Sequence, residues 1–388
     1  MHFIVDSKGY FQQVKAGVYK NKRKEKLEVE YSRAKFDYQE SKSEFNWDEL
    51  QNIQRKIDRA DHAQGPYPYL ESLQPRYRAH QIEGWDGCEE IEIEQGEDQE
   101  EDNNEEVIDV HVHIGKDIFA EKNKLRNARG NESEQNYKEL LRCMKINKIK
   151  KSLIMPFPSP AEFYSQGTWY TQENKDILDI TNNEENLYGL LAFHPKDYKE
   201  IEKLISIKIK GLKLHTRATS VDPKDLIGRP IMNILKKFSL PLLLHIGTGK
   251  EEELINSQKS IELPSAIELA KNEPEVIFIF AHLGRLNKSL FEGLELDNVF
   301  FDTSGLSLIN KYPESFLAND TISNLPKESS KVLELLIEKG YSNKILFGSD
   351  EPYGTSYIDE LNIIKKANIP EGEKIKILSL NARRVFNI

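Results

Sequence analysis

From Val107 to the end of the chain, short apolar runs recur at about 107–114, 149–157, 187–194, 208–215, 240–246, 276–283, 298–303 and 344–349. Each has the length of one strand, and unbroken apolar character is what a strand buried on both faces needs. Between most of them lie stretches with helical periodicity: Glu134–Asn147, Asn174–Thr181, Tyr198–Ser206, Arg229–Phe238, Leu263–Lys271 and Ser330–Lys339. Alternation of strand and helix implies parallel strands joined by helical crossovers. Eight such strands in roughly 280 residues fit a (β/α)8 TIM barrel better than a doubly wound sheet. All strand C-termini of such a barrel meet at one mouth, so residues far apart in sequence converge there.

The runs close on groups that carry chemistry. The first contains Asp109-Val110-His111-Val112-His113, and strand alternation predicts Asp109, His111 and His113 on one face with Val110 and Val112 on the other. Later runs end in Lys213-Leu214-His215, His245, Ala281-His282 and Gly348-Ser349-Asp350. Imidazoles and a carboxylate gathered at one rim would suit zinc, with manganese, iron or nickel as alternatives. A lone histidine is more often a core or surface group; the recurrence at equivalent strand ends is what points to a metal.

The chain carries a formal charge of −10, yet the acidity is local. Glu89 to Glu106 holds eleven acidic residues and no basic one, and without it 54 basic residues face 53 acidic ones. Such a self-repelling run reads as a disordered linker. It divides an N-terminal extension of unknown role, 1–88, from a barrel over 107–388. In the extension, Phe3–Val14 is expected to form a hairpin around Asp6-Ser7-Lys8-Gly9 and a helix is expected from an Asn46 cap, while Pro66, Pro68 and Pro75 interrupt regular structure. Lys20, Lys22, Arg23, Lys24 and Lys26 form the one candidate basic stripe, too short for broad electrostatic binding of nucleic acid. No apolar run approaches the roughly 18–20 residues of a membrane span, and the start lacks a signal peptide's sections. Cys88 and Cys143 have no CxxC partner. A cytoplasmic protein with a small-molecule substrate is the expectation, with homo-oligomerisation or a protein partner for the extension left open.

The segment from Val107 to Ile388 resembles the amidohydrolase superfamily, in particular the amidohydrolase-related group of hydrolases, lactonases and decarboxylases. The matching residues are Asp109-Val-His-Val-His113, Gly211-Leu-Lys-Leu-His215, the His245 strand, Ala281-His-Leu-Gly284, Phe347-Gly-Ser-Asp350 before Pro352, and Asn381-Ala-Arg-Arg-Val-Phe386. The resemblance implies that His111, His113, His245 and Asp350 hold one divalent ion, most simply zinc, with an open position for water. A cation lowers the pKa of such a water toward neutrality and polarises a carbonyl. Asp350 would then shuttle the proton, and His282 would orient the water or stabilise an oxyanion. Lys213, if carboxylated, would bridge a second ion; otherwise Lys213 or His215 would contact substrate or support the ligands. Arg217 and Arg285, just past two strand ends, are candidates to clamp a substrate carboxylate. His194 before Pro195 also lies at the mouth and reads as a capping or loop residue. Relatives often carry an aromatic residue where this chain has Glu351, which puts that wall of the substrate site in question. The implied activity is a metal-dependent hydrolase acting on an amide, lactone or ester of a small carboxylated molecule; the alternative is a decarboxylase or hydratase of an unsaturated or aromatic acid.

Overall fold

The computed structural model describes residues 11–14, 18–21, 106–117, 134–158, 170–196, 198–247, 263–318, 320–353 and 356–388. The chain divides into two units, Met1–Asn103 and Asn104–Ile388. In the first, the described residues form an antiparallel hairpin of Phe11–Val14 and Val18–Asn21, with Val14 opposite Val18. The hairpin expected from sequence turns instead at Asp6–Gly9. That turn, the expected Asn46 helix, the prolines and the acidic run up to Glu105 lie outside the described residues.

The second unit contains eight parallel strands in sequential order: β1 (Val107–Lys116), β2 (Ile149–Pro156), β3 (Leu187–Ala192), β4 (Ile209–Leu214), β5 (Leu242–Leu244), β6 (Phe278–Phe280), β7 (Val299–Asp302) and β8 (Ile345–Leu346). A short strand, Glu134–Gln135, adds antiparallel to the end of β1. Beyond β8 the chain continues along the free side of β1. There the Val110 N–H donates to the Phe347 carbonyl (3.0 Å), the Asp350 N–H to the His111 carbonyl (2.9 Å) and the His113 N–H to the Glu351 carbonyl (2.7 Å). The sheet is thus curled and TIM-barrel-like, with its first and last strands meeting.

A helix follows each strand: α1 (Tyr137–Ile146), α2 (Thr171–Asn183), α3 (Tyr198–Leu204), α4 (Pro230–Phe238), α5 (Leu263–Asn272), α6 (Leu290–Leu294), α7 (Ser329–Glu338) and α8 (Tyr357–Lys366). Their boundaries follow local chemistry. Asn136 caps α1 by accepting from the Lys138 N–H at 2.9 Å, Pro230 opens α4, and Ser356 caps α8 by accepting from the Asp359 N–H at 3.0 Å. None of the described helices is long and apolar enough to cross a membrane.

Two cores result. Leu153, Leu190, Leu243, Ile279 and Leu346, from five strands, fill the inside of the sheet, and Ala382, Val385 and Phe386 of the last helical turns pack on them. Asn381 fixes that closing segment by donating to the Ser342 and Ile345 carbonyls, both at 2.7 Å. The larger core lies between strands and helices. Val110 belongs to the inner core and Val112 to the outer one, which contradicts simple alternation along β1. The cause is a bulge: Asp109 pairs with Ser152 and Val112 with Ile154, so β1 spends one more residue than β2 over the same stretch. His111 and His113 still share a face, but Asp109 does not join them. Its Oδ1 instead accepts from the His111 N–H (3.1 Å) and the Ser349 N–H (3.0 Å), stitching β1 to the chain beyond β8.

Candidate metal centre

Three of the four expected ligands gather at the strand ends. Nε2 of His111 lies 3.5 Å and Nε2 of His113 3.6 Å from Oδ1 of Asp350, and one donor atom from each of the three falls within 4.8 Å of the others. His245 stands apart: its Nδ1 lies 3.1 Å from Nε2 of His282, and its ring stacks on that of His215 at 4.0 Å between centroids.

Whether these atoms suit a cation depends on where the ring protons are, and the neighbours decide it. A carbonyl or carboxylate oxygen only accepts, so the ring nitrogen beside it must carry hydrogen. Nδ1 of His111 faces Asp302 Oδ2 (2.9 Å), and Nδ1 of His113 faces the Pro156 carbonyl (2.9 Å). Nδ1 of His282 faces the Ser304 carbonyl (3.0 Å), and Nε2 of His245 faces the Gly247 carbonyl (2.9 Å). Each ring therefore turns a lone pair inward. Burial is the first cause that holds all four imidazoles well below their usual pKa; the cations Lys213 and Arg285 add to it for His111, His245 and His282, and His111 and Lys213 for His113. Neutral rings with inward lone pairs fit a metal. Between His245 Nδ1 and His282 Nε2, 3.1 Å apart, a shared proton or a metal ion satisfies both nitrogens.

Lys213 is buried between these groups, its Nζ 3.1 Å from His111 Nε2, and burial lowers its pKa to about 8. Burial likewise pushes Asp350 up to about 7 against the pull of Lys213 and Arg285. Arg285 is buried with its guanidinium 5.4 Å from the Phe316 ring, and its charge is felt at His111, His245, His282 and Asp350. His215 is half-buried and accepts from the Ala218 N–H at 3.2 Å. His194 accepts from the Lys196 N–H at 3.2 Å, as a capping residue does. The side chain of Arg217 lies outside the described residues.

The backbone carries strain at several of the candidate site residues. His282, Leu283, Gly284 and Arg285 form a left-handed turn with φ between 46° and 60°, and Asp350 has φ 59°. Non-glycine residues held there cost of the order of 1–3 kcal/mol each. Asp302 Oδ1 helps to hold the turn by accepting the His282 N–H at 2.9 Å.

The sequence reading missed four residues. Asp302 closes the apolar run of β7 as the candidate ligands close theirs, so the same rule would have found it. Ser304 touches Nδ1 of both His111 (3.1 Å) and His282 (2.9 Å), and nothing in its local sequence signals this. Tyr353 and Phe157 pack around the His113 ring at 5.2 and 5.4 Å, and the Tyr353 hydroxyl donates to Asp117. An aromatic wall thus exists two residues after Glu351, which is itself buried.

Comparison with known proteins bears on the family and the fold. An amidohydrolase family model matches residues 170–388, beyond the His111/His113 pair, which only the fold brings into the site. A search of the curated proteins finds no match. Among solved structures, the chain is similar to 5-carboxyvanillate decarboxylase from Sphingomonas paucimobilis, with TM-score 0.54 and 16% identity over 73% of this chain and 99% of that one. It is similar to a dihydroxybenzoic acid decarboxylase from Polaromonas sp. JS666 with bound manganese and 2-nitroresorcinol, with TM-score 0.54 and 13% identity over 73% and 97%. It is also similar to a putative 2-pyrone-4,6-dicarboxylic acid hydrolase from Pseudomonas putida, with TM-score 0.50 and 15% identity over 73% and 97%. At such identities these likenesses speak to fold, and the family match carries the assignment: the chain belongs to the amidohydrolase family.

Proposed function

We propose that the protein is a divalent-metal-dependent lyase, built on a (β/α)8 barrel, that removes the carboxyl group of a small aromatic or unsaturated acid. The observation that carries metal dependence is the convergence of His111, His113 and Asp350 with both ring lone pairs turned inward. Zinc or manganese suits this donor set; manganese is the ion named in the Polaromonas structure. When bound, the ion would polarise a substrate oxygen and neutralise charge. His245 and His282, with Lys213 between the two groups, offer donors for a second ion.

The choice of a lyase over the hydrolase expected from sequence is supported by the decarboxylases among the similar folds and by the aromatic wall of Phe157 and Tyr353. Arg285, with Arg217 as the other candidate, would hold the substrate carboxylate. As the C–C bond breaks, its electron pair stays on the ring or alkene carbon and carbon dioxide leaves. Asp350 would supply the proton that the carbon takes up and regain one from solvent. His282 Nε2, a proton acceptor, would hold a substrate hydroxyl. Hydrolysis of a lactone, amide or ester is the second reading, favoured by the likeness to the pyrone hydrolase.

The experiment is product analysis of the manganese- or zinc-loaded protein on hydroxybenzoates and lactones in oxygen-18 water. Release of carbon dioxide with no label in the organic product supports the lyase; label in a new carboxylate establishes hydrolysis.

A further inference from the structure

We infer that Asp302 is a positioning residue that fixes the proton of His111 on Nδ1 and so directs its Nε2 lone pair into the mouth, with Ser304 tying this ring to His282. The consequence for metal binding rests on the reading above; the assignment of the proton does not.

The hydrogen bonds around Asp302 leave one arrangement. The side chain is fully buried, and its Oδ1 accepts from three donors: the His282 N–H (2.9 Å), the Ser304 N–H (3.1 Å) and the Ser304 hydroxyl (2.5 Å). Two of these are backbone groups that cannot reverse. Oδ2 is left for His111 Nδ1 at 2.9 Å. Having given its proton to Asp302, the Ser304 oxygen offers lone pairs to Nδ1 of His111 (3.1 Å) and of His282 (2.9 Å). From the other side, the Lys213 ammonium, which has only protons to give, lies 3.1 Å from His111 Nε2. Both sides of the ring thus require the same tautomer.

Asp302→Asn tests this with little change of shape. The amide oxygen must occupy the Oδ1 position, because an NH2 there would meet two backbone N–H groups. The NH2 then faces His111 Nδ1, donor against donor; moving the ring proton to Nε2 relieves that clash and sets the proton against the Lys213 ammonium, which must turn away or release a proton. The lone pair leaves the mouth.

The experiment combines histidine ring nitrogen-15 shifts with Mn2+ titration of the full-length protein, followed by the paramagnetic signal of free Mn2+. The wild type is expected to show His111 protonated at Nδ1. Asp302→Asn is expected to move that proton to Nε2 and weaken Mn2+ binding by at least the roughly 10–100-fold typical of such supporting partners. Ser304→Ala keeps Asp302 Oδ2, so His111 is expected to keep its tautomer and the loss of affinity to be smaller. Unchanged His111 shifts in Asp302→Asn, or a larger loss in Ser304→Ala, would overturn the inference. If Asp302→Asn does not fold, the wild-type shifts decide: a proton on His111 Nε2 overturns it. The shifts need no metal, so a wild-type protein that takes up no Mn2+ contradicts the metal reading alone.

Discussion

Nε2 of His111, from the first strand, lies 3.5 Å from Oδ1 of Asp350, just past the last. The contact follows from the meeting of β1 with the chain beyond β8, where the Asp350 N–H donates to the carbonyl of His111 itself. The same strand pairing that completes the curled sheet therefore brings two candidate ligands together.

His111→Ala or Asp350→Asn removes one of three gathered donors. Divalent-ion affinity should fall by more than the roughly 10–100-fold that an outer supporting residue is worth, and turnover with it, while the circular dichroism spectrum stays that of the wild type. Near-normal activity in either variant would refute the site.

Gly348 lies against the back of the centre. A Cβ there would stand 3.0 Å from the His111 Cβ, 3.3 Å from that of Ser304 and 3.4 Å from that of Asp302. Gly348→Ala should cost about 1–3 kcal/mol of stability through overpacking, with a loss of metal affinity as His111 shifts. Thermal melts with and without Mn2+ check both effects.

Glu360 is buried on α8 and takes the Ser307 N–H at 3.3 Å and the Ser307 hydroxyl, so it braces the loop that carries Ser304. Burial, first of all, pushes its pKa well above the carboxylate range. A raised folded-state pKa means that the native state keeps a proton the unfolded chain releases, so stability is full below the unfolded pKa and falls as pH rises past it. Glu360→Gln should remove this dependence, leaving the variant's melting temperature nearer to wild type at pH 5 and higher than it at pH 8. Each kcal/mol gained would appear as about 2–4 °C.

Glu106 lies within the acidic run yet is tied to the barrel unit, with the Arg383 Nε at 2.5 Å and the Lys151 Nζ at 3.8 Å. A protein beginning at Asn104 should fold and bind Mn2+. One beginning at Val107 should do the same with stability lower by about 0.2–1 kcal/mol, the worth of exposed ion pairs. Comparison of their urea midpoints measures the difference.

Strand positions were legible because burial on both faces leaves an unbroken apolar run, and His111, His113 and Asp350 because each belongs to one. The face taken by Asp109 was not legible, since one inserted residue in β1 reverses alternation and only pairing with β2 reveals it. Nor was the place of His245, whose ring meets the Gly247 carbonyl and the His282 ring rather than the other candidate ligands. Ser304 and Glu360 are ordinary loop and helix residues whose roles exist only in three dimensions.

The most direct measurement is the anomalous scattering of Mn2+ in crystals of the loaded protein. The account predicts a peak within bonding distance of His111 Nε2, His113 Nε2 and Asp350 Oδ1. A protein that takes up no ion, or a peak bonded to none of these three atoms, would contradict it.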